Sequence, residues 1–255
     1  MKALITGGTS GIGKEIAVAL SERGYDLLLV SRKENDLKEI KERVRTEVLF
    51  LPFDLSKEEE CRKLLEETEN YDIDIFINNA GFGDIGYFDE TSLDKEIAMV
   101  KVNDIATLIL VKGFLIRFAE RNRGRILITA SAASFGVAPY MNVYYASKSF
   151  VYSMAHGYYR ELKDRKSDVT ISVLCPGPVK TRFEKTGNMD FCFRSYSAEY
   201  IAQYVVPRFL KGRFEIVPGF KMKLGHVFSH LVPKKLISKF LNKQAEIRQE
   251  ETSIR

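Results

Sequence analysis

The sequence predicts an α/β fold: a doubly wound parallel sheet in one domain over residues 1–219, with a helical extension over 220–255. Three observations carry this. Short runs rich in Leu, Ile and Val lack polar alternation, as in strands buried on both faces. Amphipathic stretches fill the gaps, so that strand, helix and strand repeat six times. No internal repeat and no linker interrupts the pattern before about residue 219.

The elements follow in order. Ala3–Thr6 is the first strand, and Ile12, Ile16 and Leu20 recur every four residues in the helix after it. Asp26–Ser31 is the second strand, and Leu37, Ile40 and Val44 mark a second helix. Val48–Phe53 is the third, and Pro52 inside it assigns it to a sheet edge. Ser56 and Glu59 read as a capping box opening the next helix. Asp74–Ile77, Arg125–Thr129, Val169–Leu174 and Phe214–Val217 complete the strands.

Composition excludes several classes. The 255 residues are 45% hydrophobic and 29% charged, an ordinary globular balance rather than a disordered one. No apolar run approaches the length of a membrane span, and Met1–Ile5 is too short for a secretory leader. Cys61, Cys175 and Cys192 are far apart and odd in number, so neither a disulfide framework nor a cysteine metal site is expected and a reducing cytoplasm fits. The net charge of +5 lies entirely in residues 220–255, leaving a neutral body. A nucleic-acid partner bound through a broad basic face is therefore not expected.

The first strand runs into Thr6-Gly7-Gly8-Thr9-Ser10-Gly11-Ile12-Gly13, and a helix follows at once. Gly7, Gly11 and Gly13 permit a tight turn and a close backbone approach, and the helix start adds unpaired N–H groups: the makings of a pyrophosphate cradle. The second strand ends in Ser31-Arg32-Lys33, where dinucleotide folds meet the adenosine ribose. An acid there suits the 2′-hydroxyl of NAD; a basic pair suits the 2′-phosphate of NADP. Asp54, after the third strand, is a candidate acceptor for the adenine amine.

Tyr144-Tyr145-Ala146-Ser147-Lys148 sets a tyrosine and a lysine four residues apart, on one helix face. A nearby ammonium favours the phenolate and lowers a phenol's pKa, fitting Tyr144 to move a proton at a carbonyl or alcohol oxygen. Ser131, thirteen residues earlier, could hold the same oxygen. Ser134 and Tyr145 are the rivals, and the spacing favours Ser131 and Tyr144. Cys175 reads as a small buried hydrophobe. His226 and His230, four apart, read as plain helix residues, so no metal is expected.

With Asn78-Asn79-Ala80-Gly81, Val102-Asn103 and Pro176-Gly177-Pro178-Val179-Lys180-Thr181, these motifs resemble, in order and spacing, the single-domain short-chain dehydrogenase/reductase family. The resemblance covers residues 1 to about 217. It implies a Rossmann sheet, a nicotinamide cofactor and a small-molecule carbonyl or alcohol substrate. It also implies a homodimer or homotetramer. By it, Tyr144 is the acid/base, Lys148 lowers its pKa and binds ribose hydroxyls, and Ser131 polarises the substrate oxygen. Asn103 anchors a water leading from Lys148 to solvent. Asn79, Ala80 and Gly81 brace the sheet and line the ribose site, while Pro176, Gly177, Val179 and Thr181 face the carboxamide and phosphate side. Arg32 favours NADP(H) over NAD(H). The segment before Ser131 departs from the family's frequent serine pair, reading Ile128-Thr129-Ala130. A non-catalytic NADP(H) sensor is the alternative, but such a protein can lose the tyrosine or lysine kept here. A nucleotide-sugar epimerase or dehydratase needs a longer substrate domain.

Two stretches lie outside this inheritance. Phe183, Met189, Phe191, Phe193 and Tyr196, with Arg182, Lys185 and Arg194, are expected to line or cover the substrate pocket. In the tail, Leu224, Val227, Phe228, Leu231 and Val232 form an apolar stripe that resumes after Pro233 with Leu236, Ile237, Phe240 and Leu241. Lysines flank it. Such a stripe is expected to be buried as a lid on its own domain, in a subunit interface, or on an anionic membrane surface.

Overall fold

The computed structural model describes residues 1–32, 37–181 and 195–239, apart from the side chain of His230. Seven parallel strands form the main sheet: β1 Lys2–Thr6, β2 Asp26–Val30, β3 Val48–Leu51, β4 Ile73–Asn78, β5 Arg125–Thr129, β6 Thr170–Leu174 and β9 Glu215–Ile216. Their order is β3-β2-β1-β4-β5-β6-β9, so the order reverses beside β1 and opens a crevice there above the strands' C-terminal ends. β3 is an edge strand, as Pro52 requires, with the proline just past its end. A short parallel pair, β7 Val179–Lys180 and β8 Tyr196–Ser197, lies apart from the sheet.

Helices cover both faces because side chains alternate along each strand. Leu4, Leu28 and Val30 point to one face, packed with Cys61, Leu64, Leu110, Phe114, Val151 and Ala155. Those residues come from α3 Glu58–Glu67, α5 Thr107–Glu120 and α6 Asn142–Asp164. Ala3, Ile5, Leu27 and Leu29 point to the other face, against α1 Gly11–Ser21, α2 Leu37–Arg43 and α7 Ala198–Leu210. Phe76 and Phe114 stack with centroids 4.2 Å apart and fix α5 over the middle of the sheet.

One local expectation changes. Ser56 does not cap α3: its hydroxyl and its N–H both donate to Asp54 Oδ1, at 2.8 and 3.1 Å, and the cap position falls on Lys57 with no side-chain cap bond. The carboxylate two residues back competes better for the serine than the helix start does. Between α4 Leu93–Val100 and α5, the six residues Lys101–Ala106 form a π-helical turn containing Asn103. Such turns cluster at functional sites.

The tail begins at Gly219, whose φ of 87° turns the chain into α8 Phe220–Leu231. Pro233 breaks the helix, and helical structure resumes over 234–239. Lys33, Arg182, Phe183, Lys185, Met189, Phe191, Phe193, Arg194, Cys192, Phe240 and Leu241 lie outside the described residues.

Candidate active site

Six strand ends supply the site. Thr6, closing β1, organises the crevice through its hydroxyl, which accepts from the N–H groups of Asn79 at 2.9 Å and Ala80 at 3.0 Å. The Asn79 amide donates to the carbonyls of Thr6 and Gly7, both at 3.3 Å, and Thr129 Oγ1 donates to Asn79 Oδ1 at 3.2 Å. One asparagine thus ties the ends of β1, β4 and β5 together.

The glycine loop needs its glycines. Gly7 and Gly11 have φ of +62° and +53°, the left-handed region. A Cβ on Gly13 would strike the Gly7 carbonyl oxygen, and one on Gly11 would meet Thr181 Cγ2 at 3.1 Å. The loop therefore offers bare backbone, with Thr181 across from it. Ser10 stands at the cap position of α1 with no side-chain cap bond, while Ile12 packs into the core. Thr9 Oγ1 donates to Ser31 Oγ at 3.0 Å, bringing the end of β2 against the loop. Arg32 beside it is exposed. Burial pushes the Asp54 carboxyl up, but hydrogen bonds from Ser56 and the charges of Arg32 and Lys57 hold it lower than usual.

The helix α6 brings Tyr144 and Lys148 into the crevice, both buried. Ser131 follows β5 and starts a short 3-10 turn, accepting from the N–H of Ala133 at 3.1 Å. Its hydroxyl acts on the Tyr144 phenol, drawing that group's pKa down. Ser134 instead donates to the carbonyl of Lys148 at 2.7 Å, so it braces α6 and leaves the tyrosine to Ser131. Tyr145 packs edge-on to Tyr144, centroids 6.4 Å apart.

Lys148 Nζ donates to the Thr129 carbonyl at 3.1 Å and lies 5.9 Å from the Tyr144 ring centroid. Asn103 braces the wall opposite. Its Oδ1 accepts from the N–H of Phe82 at 3.1 Å; its Nδ2 donates to Phe82 O at 2.9 Å and Ser147 Oγ at 3.1 Å. A Cβ on Gly81 would meet Asn103 Oδ1 at 2.9 Å and Lys148 Nζ at 3.4 Å, so only glycine lets the three meet. On the far side, Pro176 O accepts from Ala132 N–H at 2.9 Å, Gly177 lies under Met222, and Val179 is buried.

The electrostatics differ from the expectation drawn from spacing. Burial pushes the Tyr144 phenol up to about 12, only partly offset by its bond to Ser131. Burial also pulls the Lys148 ammonium down to about 8, against the pull of Asp104. Two groups four apart on a helix share a face, yet burial of both outweighs their mutual effect here.

Asp104 is the site residue that motif reading missed. It is buried in the π-helical turn, its Oδ1 lacks a hydrogen-bond partner among the described residues, and burial pushes its carboxyl up to about 6 while Lys148 opposes. Its one sequence signal is an acid inside the apolar run Val102–Val111. The thiol of Cys175 is fully buried and pushed far up by burial, which makes it a packing residue. His226 Nε2 pairs with Glu215 Oε1 at 2.9 Å.

A family profile described as short chain dehydrogenase matches residues 1–190. An 11-beta-hydroxysteroid dehydrogenase of Pinus massoniana is 32% identical over 185 residues, covering 70% of this chain and 51% of that protein. The chain thus spans about half the length of that curated relative. A short-chain dehydrogenase from Sphingobium yanoikuyae in complex with NADPH superposes with a TM-score of 0.79 at 24% identity, covering 86% of this chain and 88% of its own. A short-chain dehydrogenase/reductase from Burkholderia phymatum in complex with NAD gives 0.75 at 26% identity, covering 85% and 88%. On the profile match, which spans well over half of its residues, the chain belongs to the short-chain dehydrogenase/reductase family of oxidoreductases.

Proposed function

We propose that this chain is an NADP(H)-dependent oxidoreductase that interconverts a carbonyl compound and a secondary alcohol, with Tyr144 as acid/base. The observation that carries it is the meeting of Tyr144, Ser131 and Lys148 in one buried crevice, with Ser131 drawing the phenol's pKa down and Lys148 held by the Thr129 carbonyl. The coenzyme fits the residues present: Gly7, Gly11 and Gly13 let the loop fold tightly between the start of α1, Asn79 and Thr181, where added Cβ atoms would collide, and this leaves bare backbone N–H groups for a pyrophosphate. Thr9, Ser10 and Ile12 offer backbone N–H groups at the start of α1. Asn79, Ala80, Gly81 and Lys148 would hold the ribose beside the nicotinamide. Pro176, Gly177, Val179 and Thr181 would hold its carboxamide side, and Asp54 the adenine. When bound, the coenzyme supplies or accepts the hydride.

The protein's share is proton handling and orientation. With its pKa near 12, the Tyr144 hydroxyl is protonated at neutral pH and ready to donate to a carbonyl oxygen. Ser131 holds that oxygen through a second hydrogen bond. The Lys148 ammonium steadies the phenolate left behind, and Asn103 keeps Gly81 and α6 in register around it. Preference for NADP(H) rests on Ser31 and Arg32, since no acid closes β2; the two complexes described above carry NADPH and NAD respectively. A reducing, cytoplasmic setting is supported by the buried free thiols of Cys61 and Cys175. Assembly as a homodimer or homotetramer is supported by the exposed apolar residues Leu93, Ile97 and Val100 on α4.

The test is turnover. The purified protein with NADPH and a panel of apolar ketones and aldehydes should consume reduced coenzyme on at least one. Tight NADPH binding with no turnover on any of them would instead favour a non-catalytic sensor.

A further inference from the structure

The helix α8 rests on the domain by its less apolar side. Met222, His226 and Ser229, spaced i, i+4 and i+7, are half-buried against it. The His226 ring lies 4.0 Å from Phe135, and its Nε2 pairs with Glu215. The opposite side carries the apolar stripe and faces solvent. Phe220 and Leu231 are 79% and 75% exposed, and Leu224, Val227, Phe228 and, beyond Pro233, Leu236 are also exposed. The lid expected from the sequence is thereby excluded for this stripe. A contiguous apolar face of this kind on a folded domain marks a surface that meets something else.

Charge identifies what it meets. From Ile216 to Lys239 there are five lysines and no acid. Beside α8, a groove of about 560 Å³ runs between α7, β9 and α8, lined among others by Tyr204, Arg208, Lys211, Arg213, Lys223 and Val227. The Arg208 guanidinium sits 3.6 Å from the Tyr204 ring centroid and the Lys223 ammonium 5.6 Å from it, so two cations share one aromatic ring. The carboxylate in the groove, Glu215, is engaged by His226 and by Tyr152 at 3.3 Å. Lys223 and Val227 belong to both α8 and the groove, so the cationic hollow and the apolar stripe are continuous.

We propose that α8 and this groove form one docking surface for an anionic lipid bilayer, the stripe entering the acyl boundary and the groove taking lipid phosphates. An apolar stripe bordered by lysines is the pattern of helices that lie in a membrane interface. A second copy of this chain is disfavoured on the same face: an isologous contact would set one cation-rich surface, whose groove carboxylate Glu215 is already engaged by His226, against its twin. Among the described residues no helix is long and apolar enough to cross a membrane, so the contact is peripheral. A lipid of net negative charge also suits these cations better than a zwitterionic one, whose own ammonium already offsets its phosphate.

Vesicle co-sedimentation with the full chain tests this. Vesicles of phosphatidylcholine with phosphatidylglycerol should bind the protein; phosphatidylcholine alone should not, and added salt should reduce binding. Two double variants separate the terms: Phe228→Ser with Leu231→Ser, and Arg208→Glu with Lys211→Glu. Each should lower vesicle partitioning by about tenfold or more. Both should keep wild-type NADPH affinity, since the altered side chains lie on the surface away from the crevice, and Phe228→Ser with Leu231→Ser should also keep the wild-type melting temperature. No binding to acidic vesicles, or equal binding to neutral ones, overturns the proposal. So does light scattering in which Phe228→Ser with Leu231→Ser splits an oligomer in the absence of lipid, because that makes this face a subunit interface.

Discussion

The Lys148 ammonium donates to the carbonyl oxygen of Thr129 at 3.1 Å, linking the middle of α6 to the last residue of β5. The bond fixes a long flexible side chain beneath the Tyr144 ring and supplies one of the partners a buried ammonium needs. Asp104 is the nearest opposing charge that acts on it. The site thus contains a buried cation whose charge depends on pH close to neutrality, and the first prediction follows from this.

Between about pH 6 and 8 both Asp104 and Lys148 are charged, because burial has moved one up to about 6 and the other down to about 8. The rate of carbonyl reduction should be level across this window and should fall above pH 8 as Lys148 loses its proton. Stability responds in the other direction. Lys148 is depressed from 10.5, so its contribution to stability is present above that value and is lost as pH falls through about 8. Asp104 is raised from 3.8, so its contribution is full below that value and is lost as pH rises through about 6. Asp104→Asn removes the carboxylate's pull on the ammonium, so the alkaline fall in activity should begin at lower pH. A pH profile of kcat/KM for wild type and variant checks this; an unmoved alkaline limb would show that Asp104 does not act on Lys148.

Tyr144→Phe removes one hydroxyl from a packed ring and should leave the fold and NADPH binding intact. Turnover should drop by a factor on the order of 10²–10⁴, the usual yield of a positioned proton donor. Tyr145→Phe, on the neighbouring ring, should stay within a few-fold of wild type. Steady-state rates beside coenzyme titration distinguish the cases, and a Tyr144→Phe enzyme with near-normal kcat would remove the tyrosine from the chemistry.

Arg32 is exposed, next to Ser31 and within electrostatic reach of Asp54. Arg32→Ala should weaken NADPH by roughly tenfold or more, the worth of a charge-assisted hydrogen bond to phosphate, and should spare NADH. Equal losses for both coenzymes would mean that Arg32 does not read the 2′-phosphate.

Much of this was legible because strand burial and glycine spacing are local properties. Seven apolar runs became seven strands of the main sheet, and Pro52 marked its edge. The Tyr144–Lys148 spacing brought both residues to one crevice because four residues make about one helical turn. What escaped depended on contacts distant in sequence. The π-helical turn around Asn103 exists where its amide reaches Phe82 and Ser147. The phenol's high pKa comes from burial, which residue spacing does not encode. Pairs as short as Val179–Lys180 with Tyr196–Ser197 leave no periodic signal. The stripe on α8 was read correctly as apolar, but periodicity says which residues share a face and not which face is turned inward.

Gly13 gives the most direct test of the phosphate cradle. It stands in the first turn of α1, and a Cβ there would strike the Gly7 carbonyl oxygen and meet Asn79 Nδ2 at 2.5 Å. Neither neighbour yields cheaply. Gly7 is held at φ +62°, and the Asn79 amide is spent on the carbonyls of Thr6 and Gly7. Gly13→Ala should therefore push the loop away from the helix start, costing about 1–3 kcal/mol as overpacking does. At roughly 2–4 °C per kcal/mol for a chain of this size, the melting temperature should fall by several degrees. NADPH affinity should fall with it, because the backbone N–H groups no longer converge. Gly157→Ala is the matched control. It lies exposed inside α6 with nothing within 4 Å of the added methyl, so it should raise stability by about 0.5–1 kcal/mol through helix propensity. The two substitutions add the same atom to helices of one protein, so opposite signs in melting temperature isolate the close approach at the loop. A Gly13→Ala protein with wild-type melting temperature and coenzyme affinity would show that the loop has room to spare and does not grip the pyrophosphate.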